Sequence, residues 1–336
     1  MRIAMLAPIA WRTPPRHYGP WELVTSLLTE ALVERGVDVT LFATLDSITA
    51  GTLDGVVPAP YNEDPSVDAK VWEFRHLAHV FEQADRFDII HNQADFPAHA
   101  FSRLTRTPIV TTIHGFSSDR ILPMYLPYRD RVHFVAISAA DRHPALDYAA
   151  TIHHGIRVDD FPFDPEGSED LLFFGRIHPD KGAREAIAAA RASGRVLHLY
   201  GVVQDEAYYR REVEPANDGR AIRYHGPVGG ERRLQALGAA RALLHLISFD
   251  EPFGLSVVEA MACGTPVIAF NRGSMPELIE HGVTGFLVDT LDEAIRAIER
   301  AETIDRARVR QIARDRFSVD RMADAYLDLY RRILDR

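Results

Sequence analysis

Along the chain, short apolar runs alternate with longer stretches whose apolar residues recur every three or four positions, and this alternation is set out twice. Residues 2–8 read as a buried strand, followed by a Pro- and Gly-rich loop over 9–20. Val24, Leu27, Leu28, Ala31 and Leu32 then share one helical face, and Gly36 stops that helix. Residues 37–43, 88–91, 109–114, 133–137 and 151–154 predict further strands, separated by helical stretches such as 71–83. Strands alternating with helices imply a parallel sheet covered on both faces.

The pattern restarts after a linker rich in Asp, Pro and Gly over 159–170. A strand over 171–174 leads to an alanine-rich helix over 181–192, and strands follow at 196–200, 222–224, 242–246, 266–269 and 285–288. The last segment, 318–334, predicts one amphipathic helix with Met322, Ala325, Tyr326, Leu329, Tyr330 and Ile333 on its apolar side. The expected fold class is α/β, as two doubly wound halves of similar size. Ligands of open parallel sheets bind outside the carboxyl ends of the strands, so the residues just after strands are the ones to examine.

Composition narrows the classes. A length of 336 residues suits two domains, and 46% hydrophobic with 26% charged residues excludes a disordered or collagenous chain. Asp and Glu number 48 against 38 Lys and Arg, a net charge of −10 with no long basic block, which argues against a nucleic-acid partner. The single cysteine, Cys263, excludes an intrachain disulfide and a cysteine-based zinc site. No apolar run approaches the ~18 residues that span a bilayer, and the apolar start over 1–8 is too short for a secretory signal, so the expected compartment is the cytoplasm. Arg306, Arg308, Arg310, Arg314 and Arg316 could meet anionic headgroups, but Asp305 and Asp315 among them favour a solvated helix face. Only two of the 38 basic residues are lysine, Lys70 and Lys181, so a lysine after a strand stands out.

Four constellations carry candidate chemistry. Gly175-Arg176 and Lys181-Gly182 follow a strand and precede a helix, where a phosphate would meet free amides and two cations. On spacing alone they are equally an Arg/Lys pair on a solvated loop with Asp180. Glu251-Pro-Phe-Gly-Leu-Ser-Val-Val-Glu259 follows the strand over 242–246 and reads as a tight turn into a helix starting near Ser256. Ser256 and Glu259 fit a capping box, which would explain Glu259 without a ligand but leaves Glu251 unexplained. His114-Gly115 ends a central strand; a lone histidine there is a packed structural residue or part of a site. Tyr18-Gly19-Pro20-Trp21-Glu22 lies between the first strand and the first helix, where the glycine could simply make a turn.

Together these residues resemble family four of the retaining glycosyltransferases, which have the GT-B fold. The resemblance rests on Gly19 with Glu22, His114, Gly175-Arg176 with Lys181-Gly182, the two glutamates with seven residues between them, the continuation Ala-Met-Ala-Cys-Gly-Thr-Pro-Val and Gly282-Val-Thr-Gly-Phe-Leu-Val. It implies two Rossmann-like domains facing an interdomain cleft: an acceptor domain over 1–157, a nucleotide-sugar donor domain over 158–316, and a C-terminal helix over 317–336 crossing back to the first. Arg176 and Lys181 would bind the donor diphosphate together with Gly19, Leu255 and Ser256. Glu251, Phe253, Gly254 and His114 would meet the transferred sugar, and Val228 and Glu259 the nucleoside. His114, Arg176, Lys181 and Glu251 would form the catalytic set. This sequence departs from the family in having Pro20 where a second glycine is usual, and His153-His154-Gly155-Ile156 where asparagine-glycine-valine is usual.

The activity so implied is retaining transfer of a hexosyl group from a UDP- or GDP-linked sugar to a hydroxyl acceptor, with no cofactor beyond that donor. No two aspartates stand two apart, so the Asp-x-Asp metal clasp of the other glycosyltransferase fold is lacking and no metal is expected. Two alternatives share the architecture: a non-hydrolysing sugar-nucleotide epimerase, and a non-catalytic nucleotide-sugar binding protein.

Overall fold

The computed structural model, which describes residues 1–115 and 117–335, divides into two units: Met1–Gly155 with Val319–Arg336, and Ile156–Ser318. Each is built on its own all-parallel sheet.

The first sheet has seven strands: β1 (Arg2–Leu6), β2 (Asp38–Thr44), β3 (Thr52–Val57), β4 (Ile89–Asn92), β5 (Ile109–Ile113), β6 (Val132–Ala136) and β7 (Tyr148–Thr151). Their spatial order is β3-β2-β1-β4-β5-β6-β7. Every residue of β4 and β5 is buried, as expected of central strands covered on both faces. The helix Pro20–Glu34 follows β1, with Pro20 in its first turn, where a missing N–H removes no helix hydrogen bond. The helix Ala69–Phe81 is capped by Asp68, whose carboxylate accepts from the Val71 amide at 2.9 Å.

Two elements differ from expectation. β3 was not foreseen, because its sequence, Thr-Leu-Asp-Gly-Val-Val, alternates poorly and sits half-exposed at the sheet edge. The strand expected at 151–154 runs instead over Tyr148–Thr151, paired to β6 through Phe134↔Tyr148 and Ala136↔Thr151. The last ladder bond, from the Ile152 amide to the Ala136 carbonyl at 2.8 Å, releases the chain, and His154 turns inward to only 4% exposure.

The second sheet has six strands: β8 (Leu171–Phe174), β9 (Leu197–Tyr200), β10 (Ile222–Tyr224), β11 (Ala242–His245), β12 (Val267–Phe270) and β13 (Gly285–Val288), in the order β10-β9-β8-β11-β12-β13. Relative to its own first strand this is the same order as in the first sheet, reversing between β8 and β11 as the first reverses between β1 and β4. Such reversal points open a crevice at the strand ends.

The terminal helix Val319–Leu334 belongs to the first unit. Its Tyr330 hydroxyl lies 2.6 Å from His91 Nδ1, and its Tyr326 hydroxyl 2.7 Å from Thr112 Oγ1, which in turn lies 2.8 Å from His91 Nε2. Arg35, at the end of the helix Pro20–Glu34, pairs with Asp320 and Asp324, each at 2.8 Å. The two tyrosines of the apolar stripe thus bury against the centre of the sheet.

Two arginines of the cluster near the C-terminus, Arg306 and Arg310, do not lie on a solvated face. Arg306 is buried, donating to the carbonyls of Asp164 at 2.7 Å and Ala240 at 2.9 Å, and Arg310 donates to the carbonyl of Phe161 at 2.7 Å. Arg314 pairs with Asp159 at 2.6 Å and Arg316 with Glu280 at 2.9 Å. Among the described residues no helix is long and apolar enough to cross a membrane.

Candidate active site

In the second unit the loops after β8 and β11 meet. β8 ends at Phe174, and Gly175-Arg176 leads into the single tight turn Pro179–Lys181. Gly182 follows in the left-handed region (φ 75°), and a Cβ there would lie 1.9 Å from the Leu246 carbonyl oxygen. Only glycine lets this turn rest on the end of β11. The helix expected to begin near Lys181 begins at Ala183, and its Arg184 amide donates to the Tyr208 hydroxyl at 3.0 Å. One amide that an anion could have used at this helix start is therefore taken.

The turn aims Lys181 across the crevice. Its Nζ lies 2.6 Å from Glu251 Oε2 and 4.6 Å from the centre of the Phe249 ring, with both charged side chains about 15% exposed (15% and 14%). Arg176 bonds the Gln204 side chain and stands 3.8 Å from Asp180. The solvated-pair alternative with Asp180 thus holds weakly for Arg176 and not for Lys181.

Glu251 opens the loop into the helix Leu255–Ala262. Gly254 is the capping residue (φ 100°), not Ser256, and no side chain caps the helix. The capping-box explanation of Glu259 therefore fails. The first intrahelical bond runs from the Val257 amide to the Gly254 carbonyl at 3.0 Å, so the Leu255 and Ser256 amides have no partner within the helix. Phe253 is 3% exposed, its ring edge-on to Phe317 at 6.3 Å, so only its backbone is offered to a ligand. The neighbouring turn holds this loop: the Ser274 amide donates to the Glu251 carbonyl at 2.9 Å, and its hydroxyl bonds the Phe253 carbonyl.

Glu259, 2% exposed, is paired with Arg233 from the helix Gly230–Ala239. Burial pushes the Glu259 carboxyl up from its ordinary range, and Arg233 opposes this. Val228 lies half-buried in the segment just before the same helix. Replacing Arg233 by Ala should leave Glu259 buried without its cation and cost about 3 kcal/mol, the lower end for a broken buried pair because Arg233 is 25% exposed. Denaturant unfolding of Arg233→Ala against Arg233→Met/Glu259→Gln checks it: the double variant should recover most of the loss.

Sequence reasoning passed over Arg233 and His245. His245 ends β11 at 5% exposure, with Nε2 3.7 Å from Glu251 Oε2. Its place at a strand's carboxyl end was the available signal. Arg233 had none, since its pairing depends on how two helices approach.

In the first unit, Gly19 is buried as the residue before the helix Pro20–Glu34, and a Cβ on it would lie 2.9 Å from Glu22 Oε2. Glu22, 3% exposed, accepts from the Trp11 amide at 3.1 Å. Burial pushes its carboxyl up to about 7. His114, just past β5, is 8% exposed; its Nε2 lies 2.7 Å from Gln93 Oε1 and its Nδ1 3.4 Å from His154 Nε2. Its ring stacks on Trp21 at 5.1 Å. Burial pushes its pKa down to about 3, so the imidazole is neutral across the physiological range.

Comparison with known proteins agrees with this architecture. Residues 22–160 match the family described as Glycosyltransferase Family 4, and residues 159–316 the family described as Glycosyl transferases group 1. The chain is 26% identical over 343 residues to a glycogen synthase of Mycobacterium tuberculosis, covering 85% of this chain and 81% of that protein. The crystal structure of AviGT4, a glycosyltransferase involved in avilamycin A biosynthesis, superposes with a TM-score of 0.76 at 25% identity, covering 100% of this chain and 98% of that one. Anabaena Alr3699/HepE, solved in complex with UDP and glucose, superposes with a TM-score of 0.74 at 20% identity, covering 98% of each chain.

Proposed function

We infer, because the chain belongs to the family 4-like glycosyltransferases of GT-B fold, that it moves a hexosyl group from a nucleoside-diphosphate sugar to a hydroxyl acceptor, with retention and without a metal. The observation that carries this is the Lys181–Glu251 pair, 2.6 Å apart at the reversal point of the second sheet. Each group neutralises the other until a donor offers a better partner to both: diphosphate oxygens to Lys181, sugar hydroxyls to Glu251.

The difficulty of the reaction is charge. As the glycosidic bond lengthens, the diphosphate gains negative charge and the sugar becomes positive. Lys181, Arg176 and the amides of Leu255 and Ser256 are the fixed groups for the first. Glu251 accepts sugar hydroxyls, and Phe253 and Gly254 offer backbone amides. A neutral His114 would not oppose positive charge on a sugar, as an imidazolium would. Its Nε2 is oriented by Gln93. Glu259 and Val228 hold the nucleoside. The acceptor hydroxyl attacks from the face the diphosphate leaves, and its proton passes to the departing phosphate oxygen. The two fixed cations do the work a metal would otherwise do, so activity should persist in EDTA. UDP is the favoured nucleotide, because HepE was crystallised with it.

Thermal-shift titration with UDP, GDP and ADP tests the donor half. A ligand bound only by the folded chain stabilises it by about 2.7 kcal/mol at a hundredfold excess over Kd. UDP should raise the unfolding temperature and ADP should not. A flat response to all three, together with no sugar transfer from either donor class, would remove this reading.

A further inference from the structure

The carboxyl ends of β1 and β4 in the first unit enclose a cavity of about 510 Å³, a size that suits a small ligand. Five aromatic rings line it: Trp11, Tyr18, Trp21, Tyr61 and Phe96. Three carboxylates line it too, Glu22, Glu73 and Asp95, and no lysine or arginine does. The nearest arginines of the same loop are turned to other partners: Arg16 to Asp46 and Glu63, and Arg12 Nε to the Pro14 carbonyl at 3.0 Å.

The charged groups in the wall are all acceptors, beside the indole N–H and phenol O–H groups of the tryptophans and tyrosines. Glu22 is 3% exposed and accepts from the Trp11 amide at 3.1 Å. Asp95 Oδ1 accepts from the Tyr125 hydroxyl at 2.5 Å. His76 is 1% exposed; its Nε2 lies 3.0 Å from the Ala7 carbonyl, so that nitrogen carries the proton and Nδ1 is an acceptor. That Nδ1 is buried and has no hydrogen-bond partner. Acceptors between aromatic faces suit a molecule with many hydroxyl donors and apolar C–H faces, which is a sugar or cyclic polyol. A phosphate group carries close to two negative charges at neutral pH and needs a cation or several donors. This wall holds three carboxylates and no lysine or arginine to offset them, and like charges facing each other across a dry contact oppose binding. Trp21 links the cavity to the proposed reaction centre, since one of its faces stacks on His114 at 5.1 Å.

We propose that this cavity is the acceptor site and that the acceptor is a sugar or cyclic polyol bearing no phosphate. The inference rests on the transferase reading for the word acceptor, but its chemistry can be tested without any donor. Two of the three tryptophans line the cavity, so intrinsic fluorescence reports its occupancy. The chain would be titrated at pH 8 with matched probes: methyl glucoside against glucose 6-phosphate, and inositol against inositol 3-phosphate. The neutral member of each pair should change the fluorescence, and its phosphorylated partner should bind at least about tenfold more weakly. Glu73→Arg places a cation on the wall and should reverse the preference, a gain that misfolding cannot mimic. No response to either neutral probe, a phosphorylated probe binding more tightly to the parent chain, or an unchanged preference in Glu73→Arg would overturn the proposal. A failed nucleotide titration alongside a normal sugar response would instead count against the donor reading alone.

Discussion

Replacing Lys181 by Met should lower kcat by about 10²–10³-fold while the unfolding temperature falls by only a few degrees, because the lost interaction matures in the transition state. Its amine is held 2.6 Å from Glu251 in a crevice where both side chains are about 15% exposed (15% and 14%). In a site that excludes water, one fixed donor to a developing oxyanion is worth about 2.7–4 kcal/mol. The stability effect is smaller. Glu251 loses its cation but keeps access to solvent, which makes the cost about 1–2 kcal/mol. The two readings of the pair separate cleanly. If it is a structural ion pair, Lys181→Met/Glu251→Gln restores stability and turnover follows the folded fraction. If it is a leaving-group clamp, the double variant regains stability and stays inactive. Full activity in Lys181→Met would end the assignment of Lys181 as the leaving-group clamp.

The repeated alternation of strand and helix was legible in the sequence because most central strands are short runs dominated by apolar residues, as in Arg2–Leu6 and Leu171–Phe174. β3 escaped because an edge strand buries little, and the end of β7 escaped because Thr-Ile-His-His reads as strand whether or not a neighbour pairs with it. Position after a strand singled out Arg176, Lys181, Glu251 and His114, and of these the structure pairs Lys181 with Glu251. Partnership was not legible. The Ser256–Glu259 spacing fits a cap, yet Gly254 starts the helix and Glu259 answers to Arg233, twenty-six positions earlier in the chain. Hydrophobic periodicity places a helix but does not say which of its polar residues will face a buried charge. The acceptor-rich cavity was hidden for the same reason: Trp11, Tyr61 and Glu73 come from three separate segments and acquire meaning only once the sheet gathers them.

Acidification below pH 6.5 should unfold the first unit before the second. Six histidines are nearly inaccessible: His76, His91, His99, His114, His154 and His245, all at 8% exposure or less. Burial holds His76 down to about 4, His91, His99, His114 and His245 to about 3, and His154 well below its usual value. A histidine whose folded pKa is depressed contributes its stability above the unfolded value of 6.5 and loses it as pH falls, because the unfolded chain then binds the extra proton. Each such group removes about 1.4 kcal/mol per pH unit once the pH is below 6.5. Glu22 works the other way. Its carboxyl is raised to about 7, so its contribution is complete below the ordinary carboxylate pKa and is lost as pH rises through 7. One carboxyl gives about 3 kcal/mol at most across that window, less than five histidines remove over the same interval. Five of the six histidines, all but His245, lie in the first unit, and so do all three tryptophans, Trp11, Trp21 and Trp72. Tryptophan emission should therefore report a transition between about pH 4 and 5.5, set by a typical stability of about 5–15 kcal/mol. Far-UV circular dichroism should retain the signal of the second unit to lower pH, so the two probes should not coincide. Coincident curves, or an emission spectrum unchanged down to pH 4, would mean that the histidines of the first unit take up protons without leaving the fold.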